Sequence, residues 1–231
     1  MDKRKSVKAV FFDAGGTLFR PFPSVGEIYA RTASPYGCYD ARKLEAEFET
    51  AWNKRGGLSS LGSETSEAKE RAWWQSLVEE VFESQGGVKQ FDEFFEKLHR
   101  SFEDKHLWEI FPEVLEVLHG LRARGLILGV VSNWDLRLPR LFRNLGLDAY
   151  FDFLLTSSMC GVTKPSQGIF REALRQASCQ PEEVLHVGDT YEEDFVGARR
   201  AGIRALLLDR NRSGNSAPPE FRISSLRELK I

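Results

Sequence analysis

Two aspartates each close an apolar run. Asp13 follows Val10-Phe11-Phe12, and Asp189 follows Leu185-His186-Val187-Gly188. After Asp13 comes a glycine turn, Ala14-Gly15-Gly16-Thr17-Leu18. This pattern holds a carboxylate at the carboxyl end of a buried strand, where a nest of backbone N–H groups can face an anion. Such staging suits a nucleophile that must approach a phosphate. Asp194 lies five residues beyond Asp189, in a loop or a first helical turn. Carboxylates gathered in a low-dielectric cleft repel one another strongly unless a cation neutralises them. A hard cation with oxygen ligands, Mg²⁺, fits that donor set.

Two weaker signals accompany the acids. Gly129-Val130-Val131 runs straight into Ser132-Asn133, a hydroxyl and an amide at a strand end. Thr163-Lys164-Pro165 sets a basic residue just before a helical pattern. Taken singly, Ser132 could begin a turn or cap the next helix, Asp135 could be that cap instead, and Lys164 could be a surface lysine. Position 15, where a second carboxylate would donate a proton, holds Gly15.

Parallel strands are predicted at 7–12, 126–131, 153–156, 184–187 and 204–208, because these runs are apolar on both faces. Helical patterns fill 113–124, 136–145, 167–177 and 193–201, so strand and helix alternate as in an open α/β sheet. From about 20 to 108 the rhythm breaks into amphipathic helices with aromatic stripes, Phe48-Trp52, Trp73-Trp74-Phe82 and Phe91-Phe94-Phe95-Phe102. Core packing is the favoured reading of most of these rings. The glycine- and serine-rich stretch 55–66 reads either as an exposed connection or as a lid segment turned over a substrate. The polar stretch 211–219 reads as a surface loop.

The chain has 231 residues, enough for a core domain plus an insertion. Hydrophobic residues make up 42% and charged residues 29%, with a formal net charge of -2, so no global field recruits nucleic acid or an anionic membrane. Lys3-Arg4-Lys5 reads as a solvated terminus, and no secretory signal or membrane span is predicted, which suggests a cytoplasmic protein. Cys38, Cys160 and Cys179 lack the spacing of a disulfide framework or a zinc grip. His99, His106, His119 and His186 show no ligand spacing either, and His186 reads as a core residue.

The four patches, in this order and interrupted by this helical stretch, resemble the haloacid-dehalogenase superfamily of hydrolases, in the branch with a helical cap. The stretches Trp73-Trp74, Ser132-Asn133-Trp134-Asp135 and Phe153-Leu154-Leu155-Thr156-Ser157 look most like a eukaryotic group within it. The resemblance implies a doubly wound, Rossmann-like parallel sheet, with the α/β core at 1–19 and 109–231 and an α-helical cap at 20–108. It implies that Asp13 is the nucleophile and forms an aspartyl phosphate that water then hydrolyses. Mg²⁺ would be held by Asp13, the Gly15 carbonyl and Asp189, with Asp194 orienting a metal-bound water or binding the ion. Ser132, Asn133 and the amides of Ala14, Gly15 and Gly16 would hold the phosphate, and Lys164 would pair with both Asp13 and the phosphate.

Phosphatases of this type usually carry aspartate where Gly15 stands, and a positioned acid contributes ~10²–10⁴-fold. Its loss should penalise alkyl esters more than acyl or aryl phosphates. The proton could come from a cap residue or from Asp135. Ser166-Gln167-Gly168 also departs from the family pattern, at a helix start. The implied activity is a Mg²⁺-dependent phosphatase acting on a small phosphorylated molecule, as a monomer or weak homodimer. The alternatives are 2-haloacid dehalogenation and a non-catalytic protein binding a phosphorylated ligand or a partner.

Overall fold

A computed structural model describes residues 6–211 and 217–231. The Lys3-Arg4-Lys5 cluster and most of the polar stretch 211–219 lie outside the described residues. The chain begins with β1 (Ala9–Phe12), the glycine turn and a short β2 (Phe19–Pro21). Helices α1 (Val25–Ala33), α2 (Ala41–Arg55), α3 (Glu67–Glu83) and α4 (Phe91–Ser101) follow, then β3 (Trp108–Ile110). The next stretch carries α5 (Val114–Ala123), β4 (Ile127–Ser132), α6 (Leu138–Leu145), β5 (Phe153–Thr156), α7 (Ser157–Cys160) and α8 (Gln167–Ala177). Last come β6 (Val184–Gly188), a π-helical turn (Tyr191–Val196) running into α9 (Gly197–Arg200), β7 (Arg204–Leu208) and β8 (Arg222–Ile223).

Among the described residues, six strands form one sheet in the order β5-β4-β1-β6-β7-β8, and every pairing in it is parallel. All residues of β1 and β6 are buried, as an apolar run without alternation requires. Val10, Phe12, Val130, Leu141 and Phe142 belong to one hydrophobic cluster, while Phe11, Val131, Phe170 and Phe195 belong to another. Helices therefore cover both faces, and the sheet is doubly wound as predicted. The chain winds from β1 out to β4 and β5, then crosses to β6, so the direction reverses beside β1. Open α/β sheets bind ligands outside the strand carboxyl ends at such a reversal.

The five predicted strands are all present. β8 is an addition whose two residues are too short to leave a period in the sequence. The helix predicted at 193–201 is instead a π-helical turn followed by a single turn of α9.

Helices α1 to α4 bury an apolar cluster of their own, including Ile28, Leu44, Leu77, Phe82, Phe94 and Leu98. Ser24, Asp40 and Ser66 cap the first three of these helices by accepting from main-chain N–H groups. Contrary to the strand-free reading of this stretch, its two ends pair as an antiparallel ribbon, β2 against β3, with Arg20 opposite Glu109. Three residues per strand are too few for alternation to be visible. Among the described residues, no helix is long and apolar enough to cross a membrane.

Candidate active site

Asp13 leaves the carboxyl end of β1, and its N–H donates to the Val187 carbonyl of β6 at 2.9 Å. The neighbouring strand ends bring the remaining groups to it. Ser132, closing β4, donates from Oγ to Asp13 Oδ1 at 2.9 Å. Lys164 Nζ donates to Asp13 Oδ1 at 2.7 Å and to Asp194 Oδ1 at 2.6 Å. Lys164 is 1% exposed, so it is no surface lysine. Asp13, Asp189 and Asp194 each offer a carboxylate oxygen within 4.8 Å of the others. Oxygen-only and carboxylate-rich, with Asp13 and Asp194 buried and Asp189 half-buried, that donor set fits one hard divalent cation.

Close approach among these acids depends on two glycines. Gly16 has φ +75°, and a Cβ there would meet Asp189 Oδ2 at 2.3 Å. A Cβ on Gly188 would meet Asp194 Cγ at 2.1 Å. Side chains are excluded at both positions because the carboxylates occupy the space. Thr17 Oγ1 donates to Asp189 Oδ1, and His186 Nε2 lies 3.0 Å from Asp194 Oδ1.

The electrostatics follow from three carboxylates sharing one lysine. Burial pushes the Asp13 carboxyl above its ordinary value despite the attraction of Lys164. Burial does the same to Asp189 more strongly, and Asp13 and Asp194 add repulsion. For Asp194, burial is outweighed by Lys164 and His186, which hold it below the usual carboxylate range. Burial disfavours the Lys164 ammonium, but Asp13 and Asp194 more than offset this and raise its pKa.

Above Asp13 lies a cavity of about 320 Å³ between the sheet and helices α1 to α4. Its floor includes Asp13, Ser132, Asn133, Asp189 and Glu193, and its far wall includes Tyr29, Trp52, Trp74 and Phe95. The aromatic stripes thus line a cavity as well as pack a core. The 55–66 stretch is part exposed, as at Gly62, Ser63 and Glu64, and part turned inward. Leu58 lines the cavity, Trp73 Nε1 donates to Ser60 Oγ, and Thr163 Oγ1 donates to the Gly62 carbonyl. Glu193 is pushed up to about 7 by burial, against the attraction of Lys164.

Gly15 borders this cavity, and a Cβ on it would meet Trp134 Cζ3 at 3.1 Å. Trp134 is itself wedged between Phe19 and Trp108, with ring centroids 6.0 and 5.4 Å away.

Asp13, Ser132, Lys164, Asp189 and Asp194 are brought together as the sequence suggested. Two phosphate-binding expectations need correction. The Gly16 N–H is donated to the Phe19 carbonyl at 2.9 Å and so is not free to face an anion. The Asn133 side chain donates to the Lys164 carbonyl and to Glu193 Oε2, and accepts from the Lys164 N–H, so it braces Lys164. Asp135 is not available as a proton donor. Arg137 grips both of its oxygens, and His99 Nε2 lies 3.6 Å away. Burial alone would raise its pKa, but these partners hold it well below the carboxylate range.

Sequence reasoning missed His186 behind Asp194, Glu193 in the cavity floor, and Trp134 against Gly15. It also missed Arg210, which donates to the carbonyls of Gly16 and Thr17 and pairs with Glu113. Only the long acidic run 192–194 hinted at any of them.

A sequence model of haloacid dehalogenase-like hydrolases matches residues 7–202. The zebrafish (Danio rerio) haloacid dehalogenase-like hydrolase domain-containing protein 3 is 34% identical, over 98% of this chain and 96% of its own length. A phosphoserine phosphatase of Thermus thermophilus is 30% identical, over 96% of this chain and 98% of its own. Among solved structures, a magnesium-bound HAD-hydrolase of Bacillus subtilis superposes with a TM-score of 0.76 at 18% identity, covering 97% of each chain.

Proposed function

The chain belongs to the haloacid dehalogenase-like hydrolases, and on that premise we propose that it is a Mg²⁺-dependent phosphatase of a small phosphorylated molecule, with Asp13 as nucleophile. The observation that carries this reading is the buried cluster of Asp13, Asp189 and Asp194 around Lys164, at the switch point of the sheet and beneath a cavity. In the proposed division, residues 1–19 and 109–231 are the catalytic core and 20–108 are a cap that selects the substrate.

Asp13 attacks phosphorus through the carboxylate oxygen not bonded to Ser132 and Lys164. Those two donors fix its rotamer, so the nucleophile is oriented before substrate arrives. A phosphoryl oxygen then replaces Asp13 Oδ1 as an acceptor for Ser132 and Lys164, whose charge offsets the anion in the transition state. Asp13, Asp189 and Asp194 would hold Mg²⁺, which when bound neutralises charge on the phosphoryl group. Water hydrolyses the aspartyl phosphate in the second step and regenerates Asp13. Ala14 and Gly15 offer main-chain N–H groups to the phosphoryl oxygens.

Halide displacement from a 2-haloacid makes no demand for a cation, whereas the three clustered carboxylates offer a donor set for one. The test is hydrolysis of acetyl phosphate and p-nitrophenyl phosphate with Mg²⁺. Activity should vanish with EDTA and with Asp13→Asn. Release of halide from 2-chloropropionate that is indifferent to metal would replace the phosphatase reading.

A further inference from the structure

We propose that the compartment over Asp13 takes an aryl phosphate monoester that is uncharged apart from its phosphate; the inference deepens the phosphatase reading and rests on it. Two independent observations converge on this class.

The first concerns departure of the alcohol. Gly15 brings no acid, and the ring of Trp134 stands 3.1 Å from where a side chain would start. Asp135, next in the chain, is locked as a charged partner of Arg137. A leaving oxygen must therefore depart as an anion without a proton from either position. A phenolic oxygen titrates near ~10, whereas an alkyl alcohol, like water, lies near ~16. Aryl leaving groups tolerate the missing acid and alkyl ones do not.

The second concerns the wall that receives the leaving group. Trp52 and Trp74 stack with ring centroids 5.6 Å apart, and both line the cavity with Phe95, Trp108 and Trp134. Flat rings on several sides favour an aromatic guest by stacking and edge contacts. The same wall gives a charged guest little. Two basic side chains are among the described lining residues: Arg137, engaged by Asp135 and by the His99 carbonyl, and His99, which lies beside Asp135 and Arg71. Glu193 in the floor accepts from Asn133 and offers no cation to a carboxylate such as that of phosphoserine.

In the reaction, an Asp13 carboxylate oxygen bonds to phosphorus while the ester P–O bond breaks. Its electron pair leaves with the phenolate, which takes a proton from solvent on release. Water then attacks phosphorus and returns inorganic phosphate and free Asp13.

The experiment compares kcat/KM for phenyl phosphate, cyclohexyl phosphate, phosphoserine and acetyl phosphate on the full chain with Mg²⁺. Phenyl phosphate should exceed cyclohexyl phosphate, of similar size, by at least ~10³-fold, and should have a lower KM than acetyl phosphate. Trp74→Ala should raise KM for phenyl phosphate by about 10-fold, and Trp74→Phe, which keeps a ring, should restore most of it. If acetyl phosphate is hydrolysed while phenyl phosphate does no better than cyclohexyl phosphate or phosphoserine, the aryl assignment is overturned and the phosphatase reading stands. If no phosphate is hydrolysed, the phosphatase reading itself fails and takes this assignment with it.

Discussion

The indole of Trp134 closes the space beside Gly15, with its Cζ3 3.1 Å from the point where a side chain would begin. The position that lacks an acid is thus bordered by a ring that would have to give by a few tenths of an ångström to admit one. Restoring the acid alone should accomplish little. Gly15→Asp should leave alkyl phosphate turnover near the wild-type level, because Phe19 and Trp108 hold the indole in place. The double variant Gly15→Asp with Trp134→Ala should gain at least ~10²-fold on glycerol phosphate. An equal gain from the single variant would mean that the indole yields freely.

Lys164 is the positive charge between Asp13 and Asp194, and it is almost wholly buried. Lys164→Ala leaves those carboxylates uncompensated and should lower stability by about 3–5 kcal/mol. Mg²⁺ should recover part of that loss by supplying charge to the same acids. Denaturant melts with Mg²⁺ and with EDTA check this, and a deficit unchanged by metal counts against a cation at the cluster.

Asp135 has a folded pKa below its ordinary value, so its pairing with Arg137 stabilises the fold above about pH 4 and is lost as pH falls toward the depressed value. Asp135→Asn should therefore cost about 3–5 kcal/mol near neutrality, because Arg137 loses its partner. The Tm difference from wild type should shrink on going from about pH 7 to about pH 2. A constant difference across that range would sever the link to ionisation.

Gly188 has no room for a methyl group, since Asp194 Cγ would lie 2.1 Å from it. Gly188→Ala should displace Asp194 and weaken Mg²⁺ binding by about 10-fold or more, with a loss of about 1–3 kcal/mol of stability from overpacking. Isothermal titration with Mg²⁺ and a thermal melt measure the two effects separately.

The acid-tipped strands were readable because burial leaves a continuous apolar run and the glycine turn marks where it stops. Asp13 and Asp189 carry their own context in that way. Ser132 and Lys164 do not, and only their order along the chain gave them meaning. The remaining parts depend on contacts that no local pattern records. Arg210 reaches carbonyls 193 and 194 residues earlier. Trp134 stood out only as part of the stretch Ser132-Asn133-Trp134-Asp135, and its bearing on Gly15 exists only once the turns after β1 and β4 lie side by side. Glu193 was one of several acids in a run, and its distinct surroundings come from the π-helical turn that directs it into the cavity floor.

The ribbon of β2 and β3 ties the departing and returning chain together, and the pairing extends to the Phe22 N–H, which donates to the Leu107 carbonyl. Everything between those two residues is thus an excursion that ends where it began. Under the proposed division, the aspartate read as nucleophile and the surface that would face its substrate lie on opposite sides of that ribbon in the chain.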